Sequence, residues 1–328
     1  MLKMNSNLYD RAPFFTDLRR QIHQHPELGM ETPNTAEIVA RLLEGWGYAV
    51  HRKVGGYGVV GVLRKGTGEK SIGLRADMDA LPIFERNGLP WASKHEGRKH
   101  ACGNDGHTAT LLAAAEQLAL HCDFNGTVNL IFQPDEEGLR GALAMIEDDL
   151  FHRFPCDAVF AFHNMPGLDV GRAVVIEGGA AASSERVRIQ LRGKGGHGAL
   201  PSQAIDPIPA MACIITALQT IVSRNLDSDN PAVISIGQVH TGSSYNIIPE
   251  LATIELGVRT LDTTVRDRVE KRIREIVHGQ AAAFNIDADI EYTLLAPVLE
   301  NTKNFGVPTN GAQVHITQMA QVHQVIVN

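Results

Sequence analysis

The chain has 328 residues, more than one core of ordinary size uses, so about two domains are expected. An apolar fraction of 44% beside 20% charged residues excludes a disordered or fibrous chain, and a net charge of −7 with 5% aromatics argues against nucleic-acid binding. No run approaches the roughly 20 uncharged apolar residues of a membrane span. The opening MLKMNSNLYDRAPFF lacks the apolar stretch of a secretory signal, so a cytoplasmic protein is expected.

The first predicted helix runs through Phe14 to His23 and stops near Pro26 and Gly29. A second opens at Thr32 with Pro33 in its first turn, carries Ile38, Val39, Leu42 and Leu43 on one face, and ends before Gly47. Apolar runs at 57–63 and 72–76 read as strands. A helix is predicted over 107–121, where Leu111, Leu112, Ala115 and Leu118 keep helical spacing. Strand 127–132, helix 140–149 and strand 157–162 follow. Strands separated by helices predict an α/β domain over 1–181, with a mostly parallel, mixed sheet flanked by helices.

The period changes near residue 182. Strand 185–192 alternates as a half-solvated strand does, then come helix 207–223, strands 232–239 and 251–259, helix 263–283 and strand 287–295. That βαββαβ order predicts an inserted ferredoxin-like domain over 182–295. Residues 296–328 then return to the first domain. From Asn304 to Asn328 there is no Asp, Glu, Lys or Arg, and neither helical nor strand period is sustained. An incomplete or aberrant return, as from an altered reading frame, is the favoured expectation, with a buried terminal strand as the alternative.

Four local patterns carry chemistry. Asp135, Glu136 and Glu137 follow an apolar strand directly and precede Gly138, where a helix is expected to begin. Adjacent carboxylates at a strand end repel unless a cation or a helix N-terminus offsets their charge. His100 to Thr108 (HACGNDGHT) packs Cys, His and Asp beside glycines, a composition suited to a transition metal, although Asp105 as a helix cap would explain part of it. His163 ends the strand 157–162, and the successive strand ends can converge on one crevice. The fourth, Gly193 to Pro201 (GKGGHGALP), lacks the Lys-Ser/Thr pair of a phosphate loop; its glycines more plausibly let His197 turn into a cleft. Cys122, Cys156 and Cys213 read as structural thiols.

With those motifs in order, the chain resembles the M20 metallopeptidase family, in its amidohydrolase branch of hippurate hydrolases, N-acyl-amino-acid amidohydrolases and auxin-conjugate hydrolases. The matching runs are RRQIHQHPELGMET (19–32), GLRADMDALPI (73–83), HACGNDGHTATLLAAA (100–115), IFQPDEEG (131–138), FAFHNMPG (160–167), GKGGHGALP (193–201) and SYNIIPELATIELGVRT (244–260). The resemblance implies a catalytic domain binding two divalent ions (Mn, Co, Ni or Zn), a lid domain that also makes a homodimer, and small N-acyl amino acid substrates. It assigns Cys102 as a metal-bridging thiolate, Glu137 and His163 as ligands, and Glu136 as general base. It further assigns His197 to the oxyanion, Asn246 and Arg259 to the substrate carboxylate, and Asp79 as a supporting acid. Two departures stand out. The family's Cys-Gly-His-Asp carries a ligand His where this chain has Asn104, a poorer ligand, and its last ligand His has no counterpart in context at His315 or His323. The competing expectation is therefore a truncated, catalytically impaired relative that keeps ligand binding or dimerisation.

Overall fold

The computed structural model describes residues 6–169, 172, 174, 176, 178–301 and 317–318; the chain divides into two compact units, Met1–Glu177 with Asn301–Asn328 and Gly178–Glu300. The first unit runs α1 (Ser6–Gln24), α2 (Pro33–Gly45), β1 (Ala49–Val54), β2 (Gly58–Lys65), β3 (Ser71–Asp77), α3 (Asn104–Leu120), β4 (Gly126–Gln133), α4 (Gly141–Glu147), α5 (Leu150–Arg153) and β5 (Ala158–Ala161). The second runs β6 (Gly178–Ala181), β7 (Ser184–Arg192), β8 (Gly196–His197), α6 (Pro207–Leu218), β9 (Ala232–Thr241), β10 (Ile247–Ile248), β11 (Leu251–Thr260), α7 (Thr263–Ala283), β12 (Asp287–Ala296) and β13 (Leu299–Asn301). A short β14 (Thr317–Gln318) pairs antiparallel with β5. The rest of the charge-free tail, with His315 and His323, lies outside the described residues.

The first unit's sheet has the order β1-β2-β4-β3-β5-β14. It is mixed: β3 pairs parallel with both β4 and β5, while β1, β2 and β14 add antiparallel edges. β1 is the strand the sequence reading lacks. Its residues AVHRKV bury only Val54, so no apolar alternation marks it. In β4 the alternation is clear. Val128, Leu130 and Phe132 pack with Phe15, Ile22, Val39, Leu43 and Leu112 of α1, α2 and α3, while Ile131 faces Met145, Leu150 and Phe154. Helices thus cover both faces, which is what parallel strands require.

Two helix ends differ from expectation. Thr32 is the N-cap of α2 but makes no side-chain cap; Glu27 does so instead, accepting the amides of Asn34 (3.0 Å) and Thr35 (2.9 Å) and the side chains of both. The N-cap of α3 is Gly103 rather than Asp105, which lies in the first turn and accepts hydrogen bonds from Arg19 and pairs with His23. Gly103 stands at φ 105°, and an added Cβ would lie 2.2 Å from Asn164 Oδ1, so the position needs glycine.

In the second unit the antiparallel order β12-β7-β11-β9 is that of the expected ferredoxin-like unit. α7 buries Val265, Val269, Ile273, Val277 and Ala281 at four-residue spacing and is capped by Asp262, which accepts from Thr264 N (2.7 Å) and Val265 N (3.0 Å). The helix expected to reach 223 ends at Leu218, and a π-helical turn spans Ile221–Asn225.

Candidate metal centre and active site

Because β3, β4 and β5 run parallel, their carboxyl ends share one edge: Asp77 pairs with Gln133, and Arg75 with Ala161. Just past these ends lie Asp79, the turn Asp135 to Leu139, and His163. The N-terminus of α3 brings Cys102, Asn104 and His107 to the same edge. Sequence separation is large; the strand register brings the groups together.

Cys102 Sγ lies 3.4 Å from His163 Nε2, and the Glu137 carboxylate is close enough to act on the thiol's ionisation. His163 Nδ1 donates to the Asn164 carbonyl at 2.6 Å, which leaves Nε2 as the lone-pair nitrogen facing the thiol. That is the tautomer and outer hydrogen bond of a metal-binding imidazole. Glu137 Oε1 is buried without a hydrogen-bond partner. The acidities describe a site short of positive charge. Burial, then the charges of Glu137 and Glu136, push the Cys102 thiol up to about 12. Burial raises Glu136 and Glu137, with Asp77 adding to the first and Glu136 to the second.

Asp79 is fully buried, and its two oxygens accept the backbone amides of Glu136 (2.9 Å) and Glu137 (3.1 Å). Burial outweighs those bonds and pushes its pKa up to about 7. Its own carbonyl accepts from Asn104 Nδ2 at 3.0 Å. One aspartate therefore ties the start of α3 to the two-glutamate turn. That turn is not the start of a helix, as the sequence suggested: Asp135 (φ 49°) and Leu139 (φ 59°) hold a left-handed bend, and α4 begins only at Gly141.

Asn104 is buried, and its Oδ1 has no hydrogen-bond partner. His107 does not replace it as a ligand. Its Nδ1 donates to Asp77 Oδ1 (2.7 Å) and its Nε2 accepts the Asn164 amide (3.1 Å), so both nitrogens are committed. Burial works against ionisation of Asp77, yet Arg75 and His107 hold its carboxyl well below the usual carboxylate range. Asp77, Arg75 and Asn164 are site residues the sequence reading did not single out. Their partners are distant in sequence, and only the runs RADMD and FAFHNMPG hinted at them.

Among the described residues no three His, Cys, Asp or Glu side chains stand around a common point as metal ligands. What stands is the contact of Cys102 with His163, with the Glu137 carboxylate acting on the same thiol. The donor chemistry, the His163 tautomer and the unpartnered Glu137 oxygen fit one divalent ion there. Asn104 offers only a neutral carbonyl oxygen toward a second.

In the second unit, β8 pairs with β10, setting His197 opposite Ile247, and Gly198 N donates to the Asn246 carbonyl at 2.8 Å. His197 and Asn246 are thus neighbours and both exposed. His197 Nδ1 accepts from Ala199 N (3.1 Å), which puts a neutral ring's proton on Nε2. Arg259, exposed on β11, reaches the Ser183 carbonyl at 3.4 Å.

A profile of Peptidase family M20/M25/M40 matches residues 73–323. Hippurate hydrolase of Campylobacter jejuni is 50% identical over 287 residues, 88% of this chain and 75% of that protein. N-acetyl-L-cysteine deacetylase of Bacillus subtilis is 40% identical over 87% of this chain and 68% of its own length. Among solved structures, a Bacillus subtilis dinuclear metal binding peptidase from the M20 family matches with TM-score 0.77 at 33% identity, covering 91% of this chain and 77% of that one. A structure from methicillin-resistant Staphylococcus aureus matches with TM-score 0.90 at 32% identity, covering 98% and 88%.

Proposed function

The chain belongs to peptidase family M20/M25/M40, whose members hydrolyse amide bonds of N-acyl amino acids, and on that premise we propose that it cleaves N-acyl or N-aroyl amino acids of hippurate type. The observation that carries the reading is the contact of Cys102 Sγ with His163 Nε2 at 3.4 Å, beside the Glu137 carboxylate that acts on the same thiol, at the carboxyl edge of the sheet. Cys102, Glu137 and His163 would hold a divalent ion (Mn, Co, Ni or Zn), with a second of the family's pair resting on Asn104. A bound cation supplies Lewis acidity toward the scissile carbonyl and the attacking water. The free thiols of all four cysteines support a reducing, cytoplasmic setting, and among the described residues no helix is long and apolar enough to cross a membrane.

In this reading Glu136 takes the proton of the attacking water and returns it to the leaving amine. Burial raises its pKa from the usual carboxylate range, which suits a group that both accepts and gives a proton. Asp79 holds the Glu136–Glu137 turn by its amides. His197 donates from Nε2 to the carbonyl oxygen as charge develops there, and Asn246 with Arg259 holds the substrate carboxylate, the guanidinium through both oxygens. Gly178–Glu300 acts as lid and as the homodimer contact.

The test is amine release from hippurate and N-acetyl amino acids by the purified chain supplied with each metal. Activity is expected, and Glu136→Gln should lower kcat by about 10²–10⁴-fold with KM little changed. No release with any of the four metals would sink the proposal. A second reading, a catalytically impaired relative that retains ligand binding or dimerisation, is favoured by Asn104. About two ions per chain by elemental analysis that Cys102→Ser removes would exclude it.

A further inference from the structure

Away from the candidate centre, a cavity of about 570 Å³ opens between the end of α1, the first half of α2 and residues 95–98. Ile22, Pro26 and Ile38 contribute its apolar lining, and His25 and His95 stand on its wall. His25 Nδ1 lies 3.3 Å from His95 Nε2, with ring centroids 5.5 Å apart. Neither ring makes another hydrogen bond among the described residues. Each neutral imidazole is therefore free to carry its proton on the outer nitrogen and present the inner lone pair. Two nitrogens bound at about 2.0–2.1 Å to one tetrahedral ion stand about 3.3 Å apart, the separation observed.

We propose that His25 and His95 form a transition-metal site, for zinc, nickel or copper, that shares no ligand with the centre at Cys102. The pair is held in place before any ion arrives. His25 N donates to Ile22 O (3.0 Å) at the end of α1, and Lys94 N donates to Gln24 O (2.9 Å). His95 N donates to Ser93 Oγ (3.1 Å), Arg98 N donates to His95 O (3.2 Å), and Ser93 N donates to Glu85 (2.6 Å). The charges lining the cavity cancel. Glu37 is paired with Arg41, the Glu27 oxygens are taken by Asn34 and Thr35, and Arg98 completes the set. The affinity must come from the imidazoles. With no third His, Cys, Asp or Glu completing a ligand group among the described residues, water fills the remaining positions. An ion here staples to α1 the long segment that runs on to Cys102.

The test uses tag-free full-length chain dialysed against zinc near neutral pH, with zinc per chain measured by elemental analysis. His25→Asn and His95→Asn should each bind about one ion fewer, the double variant no fewer than either single one, and Cys102→Ser should keep that ion. Either histidine variant holding as much zinc as the unsubstituted chain overturns the proposal. A readout independent of how those variants fold is copper(II) paramagnetic resonance of the Cys102→Ser chain. Coupling to two imidazole nitrogens supports the site, and coupling to fewer overturns it. Failure here leaves the amidohydrolase reading untouched, since that rests on other ligands.

Discussion

Cys102, Glu136 and Glu137 crowd three acidic groups into partly buried space, and each holds its proton more tightly than in water. A divalent ion reverses that preference, so metal uptake should release protons as the ligands ionise. Asn104 is the weak point of such a centre. Asn104→His is expected to raise the ions retained after dialysis by about one per chain over the parent, measured by elemental analysis; retention equal to the parent chain would remove residue 104 from the ligand set. In the second unit, Glu185 is buried with neither oxygen hydrogen-bonded, and burial raises its pKa above the usual 4.5. The folded chain then binds more protons than the unfolded one, so this residue's contribution is present below about pH 4.5 and lost as pH rises through the raised value. Glu185→Gln should flatten that decline and gain about 1–3 kcal/mol at neutral pH, read from denaturant midpoints at acid and neutral pH.

At the scale of elements, caps and clamps reach across the chain. Glu27 satisfies the first amides of α2 from outside the helix, and Lys65 Nζ donates to the carbonyls of Leu118 and Ala119, both at 2.9 Å, at the end of α3. Removing the first, by Glu27→Ala, should cost about 1–2 kcal/mol, seen as a lower denaturant midpoint with an unchanged m value. An unaltered midpoint would show that water replaces the carboxylate. The pairing of Asp77 with His107 works in the same way. It anchors the Asn164 amide and with it the segment bearing His163, which is why His107 is consumed as scaffold.

Among the described residues each unit has a large hydrophobic core, one around Leu43, Leu112 and Leu130 and another around Val187, Ile189 and Ile273, and the first unit adds a smaller one around Val60, Ile131 and Met145. The two large cores lie in different compact units, so separate melting is expected. Leu112→Ala and Ile189→Ala should each cost about 2–5 kcal/mol and shift different transitions in calorimetry; a single transition moved equally by both would show one cooperative unit.

Much of this protein was legible in one dimension. α7 falls on its predicted span because its buried positions repeat every four residues, and β4 within one residue of its own because a short apolar run marks a strand buried on both faces. Cys102, Glu136, Glu137 and His163 were readable because each sits in a local motif at the end of an element, where backbone direction alone sends a side chain to the sheet edge. β1 was not legible, since an edge strand with one buried residue leaves no period, nor was the exchange of cap from Thr32 to Glu27. The roles of Asp77, Asp79, Asn104 and His107, and the meeting of His25 with His95, were decided only by tertiary structure. A sequence specifies which donors and acceptors a chain carries and how its elements repeat. Which donor meets which acceptor depends on strand register and helix packing, and these bring together groups that the chain itself keeps tens of residues apart.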